Sequence, residues 1–358
     1  MPDPSPATPG PTAPTLDLKP VLAGLLRGEA LSRDEAGAVF SALLSGSLAD
    51  AQIGALLALI QTRGPTVDEL IGAGRVMRAH VTPVLTPPGA TVLDTCGTGG
   101  AAKTFNISTA AAVVAAAAAG GKLAIAKHGN RSRSGRGSAE VLRELGVNVD
   151  APPKTQAQCL EACGVCFCFA VHHHPAMRHA AGARAALGFP TIFNLLGPLT
   201  NPAGASHQVM GVMGPAYVRP MADALAGLGS ARAMVFHSLD GMDELSTIAP
   251  TRVAQVEGGH VREWEFDPAS LGIAPPSRDD LLATDLAAAA RAFRESITAP
   301  AGPKPDIVAL NAAAALIVGG VEGDWPDALA SARRAIASGH AARTLDRLAA
   351  VSRGEHPG

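Results

Sequence analysis

Four polar stretches carry the chemistry this sequence can offer. The first runs Asp94-Thr-Cys-Gly-Thr-Gly-Gly-Ala-Ala-Lys-Thr-Phe-Asn-Ile-Ser-Thr109. An apolar run over 90–93 leads into Gly97, Gly99 and Gly100, and the polar turn from Asn106 to Thr109 opens a long Ala/Val segment. Strand, glycine loop and helix start, in that order, bring backbone N–H groups close to an anion, and the helix dipole favours negative charge there. The glycine spacing is not that of a dinucleotide loop, and no Gly-Lys-Ser/Thr closes it as in a P-loop. A tight strand-to-helix turn without a ligand also fits this stretch taken alone.

The second stretch, Lys127-His-Gly-Asn-Arg-Ser-Arg-Ser-Gly-Arg-Gly-Ser138, also lies between a strand and a helix. Its cations, hydroxyls and glycines suit a phosphate-rich ligand, with Ser138 at a helix start. The competing reading is a solvated basic loop. The third, Asp240-Gly-Met-Asp-Glu244, puts three carboxylates into five residues beyond a strand. Magnesium takes one or two carboxylates plus substrate phosphates, so this is a candidate Mg²⁺ site, or else a charged turn. The fourth runs from His172-His-His174 through Arg184 to the turn Gly197-Pro198 and Asn201-Pro202. Helical spacing separates His174 from Arg184 by about three turns. Arg184 could clamp a carboxylate through two N–H groups, or serve as an ordinary helix arginine.

The elements that must position these stretches follow from pattern. Residues 1–14 read as a disordered tail without a signal-peptide core. Residues 16–80 read as about four helices, with capping signals at Ser32/Glu35, Ser47/Asp50 and Thr66/Glu69. A Pro-rich hinge follows near 83–88. Beyond 90 short apolar runs alternate with helical ones. Strands are expected over 91–95, 123–127, 165–169, 208–213, 233–237 and 253–256. Helices are expected over 108–119, 138–145, 155–163, 176–187, 216–228, 279–292, 307–318 and 325–350. This alternation predicts an α/β fold: a small all-helical domain and a larger domain with a mostly parallel sheet covered by helices. Ligands in such sheets sit at the carboxyl ends of the strands.

Composition narrows the function class. The formal net charge is −2, which argues against nucleic acid, and no apolar run suits a membrane span. A cytoplasmic location is expected. Cys159, Cys163, Cys166 and Cys168 stand just before the three histidines and raise a zinc site. The spacing lacks paired C-x-x-C, and the competing reading is a buried strand using Cys as a small apolar residue.

Together these stretches resemble the anthranilate phosphoribosyltransferase family, in the fold group shared with pyrimidine nucleoside phosphorylases. The matching text is GTGG with TFNIST, KHGNR, GSAE-x-LRELG, FAVHHHPAM, TIFNLLGPLTNPAG, DGMDE and the Asn311-Ala-Ala-Ala-Ala-Leu316 run. The resemblance implies transfer of a phosphoribosyl group from phosphoribosyl pyrophosphate to the amine of anthranilate, releasing pyrophosphate, in tryptophan biosynthesis. It implies that Gly97, Thr98, Gly99, Gly100, Thr104, Asn106, Ser108, Thr109, Lys127 and Ser138 hold the donor. It implies Mg²⁺, two ions per subunit, on Ser108, Asp243 and Glu244. Gly97, Asn130, His128, His174 and Arg184 would hold anthranilate, with Arg184, His128 and Ser108 as the catalytic set. It implies domains at 15–82, completed by about 176–202, and at 90–175 with 203–355, closing about the hinge. A homodimer is likewise implied.

The chain departs from the family pattern at three places. Ala101-Ala102 replaces the usual Asp-Gly, with one residue fewer before TFNIST. The stretch between KHGNR and GSAE is one residue short, ending Ser134-Gly-Arg-Gly137. Pro190 stands where an arginine is usual. Either the two shortened loops compensate each other, with Arg133 or Arg136 giving extra charge, or they weaken donor binding; retained activity is the expectation. The alternatives are a pyrimidine-nucleoside-phosphorylase-like enzyme and a non-catalytic relative binding nucleic acid. Retention of Arg184, Asn130 and DGMDE speaks against the second.

Overall fold

A computed structural model describes residues 16–99, 104–132 and 135–355. Gly100, Ala101, Ala102, Arg133, Ser134 and the 1–14 tail therefore lie outside the described residues.

Four helices come first: α1 (Lys19–Leu26), α2 (Arg33–Leu44), α3 (Asp50–Arg63) and α4 (Val67–Ala79). Two of the three capping signals act as expected. Ser32 and Glu35 close a reciprocal box at α2, and Thr66 and Glu69 do so at α4. Ser47 does not cap α3. Its hydroxyl bonds Ser45, and the helix starts after Ala49, whose N–H donates to Gln52 Oε1 at 2.9 Å. The longer Gln side chain reaches back from within the first turn, so the cap is set two residues later than the Ser-x-x-Asp pattern suggests.

Strands and helices then alternate as β1 (Thr91–Gly97), α5 (Ile107–Ala119), β2 (Leu123–Gly129), α6 (Ser138–Glu144), α7 (Pro153–Cys163) and β3 (Val165–Phe169). The histidine turn follows as α8 (Ala170–His173), then α9 (Arg178–Leu187) and α10 (Ile192–Leu196). Next come β4 (His207–Gly211), α11 (Val218–Gly227), β5 (Arg232–Ser238), β6 (Thr251–Glu257) and β7 (His260–Phe266). The chain finishes with α12 (Leu286–Thr298), α13 (Pro303–Val318), α14 (Trp325–Ala337) and α15 (His340–Ser352). Among the described residues no helix is long and apolar enough to cross a membrane.

The seven strands form one sheet in the order β3-β2-β1-β4-β5-β6-β7. The first five are parallel, and the last two are added antiparallel. The sequence pattern does not reveal β7. Its residues, His260-Val-Arg-Glu-Trp-Glu-Phe266, are mostly polar because it is an edge strand with little to bury. The expected helix at 279–292 starts only at Leu286, where Asp285 accepts the Ala288 N–H at 2.7 Å. The expected helix at 325–350 is two helices, broken at Gly339 with φ of 71°.

Side chains of β4 to β6 alternate between two apolar clusters, one on each face of the sheet. Val209, Met234, Phe236 and Val253 pack with α5 and α13. Met210, Val235, Ala254 and Val256 face the other way. The second cluster continues through α11 into Phe40, Leu43, Leu56 and Leu57 of the helical bundle and into Ala180, Ala183, Ile192 and Phe193. Segment 176–202 therefore packs on the N-terminal helices. Cys166 and Cys168 are fully buried in β3 with their sulfurs 3.6 Å apart, acting as small apolar residues.

Candidate functional site

The parallel order β2-β1-β4-β5 brings the carboxyl ends of four strands together, and with them three of the polar stretches. After β1 the loop turns at Thr98, whose N–H donates to the Gly211 carbonyl at 3.0 Å and whose hydroxyl accepts the Met213 N–H at 2.8 Å. The end of β4 thus holds the glycine loop. Gly97 faces the acidic turn so closely that a Cβ there would lie 3.4 Å from Asp243 Oδ2.

Ser108 opens the second contact. Its backbone N–H donates to Glu244 Oε1 at 3.1 Å. Its carbonyl accepts the Thr95 hydroxyl at 3.0 Å. Ser108, Asp243 and Glu244 are therefore brought together from positions far apart in the sequence. Thr109 is buried in the same helical turn. Burial, then repulsion from Asp243, pushes Glu244 up to about 8. Burial likewise raises Asp243. Two adjacent carboxyls that resist ionising together could hold a cation in place of a proton. Among the described residues no three His, Cys, Asp or Glu side chains converge on one point. A divalent cation here would draw its remaining ligands from phosphate and water, in keeping with Mg²⁺.

The turn carrying these acids is held from behind. Asn311 of α13 accepts the Leu245 N–H at 3.0 Å and donates to the Leu245 carbonyl at 2.9 Å. It is the one amide in an otherwise apolar run over 307–316, which is the signal that marks it as structural. Gly211 completes the support, because a Cβ there would collide with the Asp243 carbonyl group. Gly211→Ala is expected to push Asp243 off the glycine loop and reduce turnover about tenfold, with far-ultraviolet circular dichroism unchanged. Activity equal to wild type would show that the turn adapts freely.

At the end of β2, Lys127 is 5% exposed and donates to the His128 carbonyl at 3.3 Å. His128 meets His174, with their Nε2 atoms 3.2 Å apart and ring centroids 5.1 Å apart. The histidine turn is fixed by the linker after α4. His173 Nδ1 donates to the Thr82 carbonyl at 2.8 Å, and the Thr82 N–H donates to the His173 carbonyl at 2.8 Å. Burial holds His128 well below the usual histidine range and His174 at about 4. Both rings are neutral in the folded chain at pH 7. Below about pH 6.5 the unfolded chain takes up protons that the folded chain refuses, so the pair costs stability as the pH falls towards about 4. His174→Gln is therefore expected to lose less Tm than wild type between pH 7 and pH 4.5. An equal loss would contradict the burial of a neutral ring.

The remaining residues are placed less uniformly. Thr104 forms an antiparallel bridge with Leu282, and the Phe105 N–H donates to the Leu281 carbonyl at 3.3 Å. Asn106 Nδ2 donates to the Arg136 carbonyl at 3.2 Å, while the Arg136 guanidinium bonds the Ala283 carbonyl. Arg136 is thus engaged by the scaffold and ties the second loop to segment 281–283. Arg278 Nη1 ties the same segment to the Asp240 carbonyl at 3.1 Å. None of these links is marked by a motif. Asn130 is exposed at the mouth, its Oδ1 accepting the Arg131 N–H at 2.8 Å, and Ser138 Oγ donates to its carbonyl at 3.4 Å. Arg184, on α9, lies with its guanidinium carbon 5.1 Å from the centre of the Phe193 ring. Gly99 adopts φ of 66°, a conformation that favours glycine.

Residues 19–81 match the helical bundle domain of a glycosyl transferase family, and residues 89–342 match its a/b domain. A protein of Rubrobacter xylanophilus named anthranilate phosphoribosyltransferase is 44% identical over 339 residues, which is 94% of this chain and 98% of its own. One of the same name from Phenylobacterium zucineum is 46% identical over 336 residues, 93% and 98% of the two chains. The crystal structure of anthranilate phosphoribosyltransferase from Thermus thermophilus superposes with a TM-score of 0.85 at 38% identity, covering 93% of this chain and 99% of that one.

Proposed function

The chain belongs to the anthranilate phosphoribosyltransferase family, and from that premise we propose that it moves the phosphoribosyl group of phosphoribosyl pyrophosphate onto the amine of anthranilate. The products are N-(5-phosphoribosyl)anthranilate and pyrophosphate, and the step belongs to tryptophan biosynthesis. The observation that supports this best is the convergence of the Ser108–Glu244 contact with the approach of Asp243 to Gly97. In this reading a cation seat stands against an anion loop.

The roles follow from the chemistry of the bond that breaks. The aryl amine is neutral near pH 7 and needs no strong base before attack. The demanding part is loss of pyrophosphate from a carbon that becomes cation-like. Backbone N–H groups of Gly97 to Gly100 and the α5 start, with Thr104, Asn106, Lys127 and Ser138, would bind the donor's phosphates and ribose. Ser108, Asp243 and Glu244 would hold Mg²⁺, two ions per subunit. When bound, Mg²⁺ supplies charge that stabilises the departing diphosphate. Neutral His128 and His174 with Asn130 would line the acceptor path, and Arg184 would take the anthranilate carboxylate. Holding both substrates at bonding distance supplies the rest of the acceleration. No covalent intermediate on the protein is required.

The division into residues 15–82 with about 176–202, and 90–175 with 203–355, is the one we adopt for a cleft that closes on both substrates. A cytoplasmic homodimer formed through the helical bundle, where Leu26 is 73% exposed, completes the reading. Purified protein with phosphoribosyl pyrophosphate and Mg²⁺ is expected to release pyrophosphate only when anthranilate is present. Phosphate-dependent release of free base from a pyrimidine nucleoside, without that reaction, would instead assign a nucleoside phosphorylase.

A further inference from the structure

Beneath the glycine loop lies a carboxylate that none of these roles uses. Asp94, the fourth residue of β1, is fully buried at 0% exposure. Its Oδ1 accepts the backbone N–H of His128 at 3.0 Å, and its Oδ2 accepts Gln208 Nε2 at 3.4 Å. The same Gln208 nitrogen donates to the Pro198 carbonyl at 2.6 Å. Asp94 therefore links β1, β2 and β4 to the turn ahead of Asn201.

A carboxylate so deeply buried needs a fixed partner to remain an anion. Burial raises Asp94, and the Lys127 ammonium is the largest opposing influence. Both carboxylate oxygens already face N–H donors, which favours the charged form. Lys127 acts in the same sense on Asp243 and Glu244. Of the three, Asp94 is the one set inside a strand and bonded through both oxygens. The N–H that Asp94 Oδ1 accepts belongs to the peptide joining Lys127 to His128, so this bond fixes the backbone from which the ammonium extends.

We infer that Asp94 is a positioning residue for the transfer: it fixes the end of β2 through the His128 N–H and keeps the Lys127 ammonium seated for the donor's oxygens. The inference rests on the reaction proposed above. It predicts an effect on the donor that runs through Lys127 and leaves the acceptor alone.

The test is a coupling cycle of wild type, Asp94→Asn, Lys127→Met and the double variant. Each is characterised by kcat, both KM values and donor affinity by calorimetry. Asparagine keeps an oxygen for the His128 N–H and removes the charge. Asp94→Asn is expected to raise donor KM and donor Kd about tenfold while anthranilate KM stays within about twofold. With Lys127 already Met, adding Asp94→Asn is expected to change donor Kd less than about twofold. A full tenfold further loss in the double variant, or equal losses for both substrates, would overturn the inference in favour of general support of the fold. Should Asp94→Asn not fold alone, the double variant, whose buried site is neutral, is compared with Lys127→Met under the same criterion. Wild-type activity is measured first: an inactive wild type overturns the reaction and the inference with it, whereas an active wild type with unchanged Asp94→Asn overturns the role of Asp94 alone.

Discussion

Glu244→Gln is expected to lower kcat about a thousandfold while the protein folds as wild type. Removing one aligned charge from a preorganised site costs on the order of 10²–10³ in rate, and Glu244 is one of the two carboxylates proposed to hold the cation. Glutamine keeps an oxygen that can accept the Ser108 N–H, now 3.1 Å from Glu244 Oε1. The local backbone therefore retains its bond. Stability provides an independent check. Burial and Asp243 raise Glu244 to about 8, so the folded chain holds a proton there that the unfolded chain has released above about pH 4.5. That residue costs stability as the pH rises from about 4.5 to 8. The glutamine variant should then lose less Tm over that range than wild type. Full activity in the variant at every Mg²⁺ concentration would remove Glu244 from the metal seat.

Arg184→Ala is expected to raise anthranilate KM about a hundredfold and leave donor KM nearly unchanged. A guanidinium paired with a carboxylate through two N–H groups is among the stronger polar contacts, and its loss leaves the acid unpaired in a closed site. Phe193 holds the guanidinium carbon 5.1 Å from its ring centre, which limits the orientations the side chain must give up on binding. Arg184→Lys keeps the charge but not the planar fork, so it should recover only part of the loss. The readout is the pair of KM values at saturating cosubstrate. Donor KM rising as much as anthranilate KM would place Arg184 on the diphosphate instead.

Much of this site was legible because its parts are loops at strand ends. The glycine run after β1 and the polar start of α5 announce an anion site by residue type, and DGMDE announces acids beyond β5. What residue type does not convey is that Ser108 touches Glu244. That contact depends on β1 lying between β2 and β4, a strand order no local pattern encodes. Asp94 and Asn311 escaped for a related reason. Each is a buried polar side chain whose partners come from distant segments. Segment 278–283 reads as part of a helix by composition, yet it bridges Thr104 and Arg136 instead. Edge strand β7 was hidden by its charge, and the break at Gly339 by the helix-forming residues on either side. Arg136 keeps its charge, but no local pattern conveys that its guanidinium also serves the Ala283 carbonyl.

The central claim is tested most directly by following anthranilate fluorescence with purified protein, phosphoribosyl pyrophosphate and Mg²⁺, with and without a chelator. The account predicts loss of fluorescence at ordinary enzyme rates, about 1–10³ per second, abolished by the chelator and restored by added Mg²⁺. Unchanged fluorescence from a folded protein would contradict it, and would mean that this chain no longer uses that donor and acceptor.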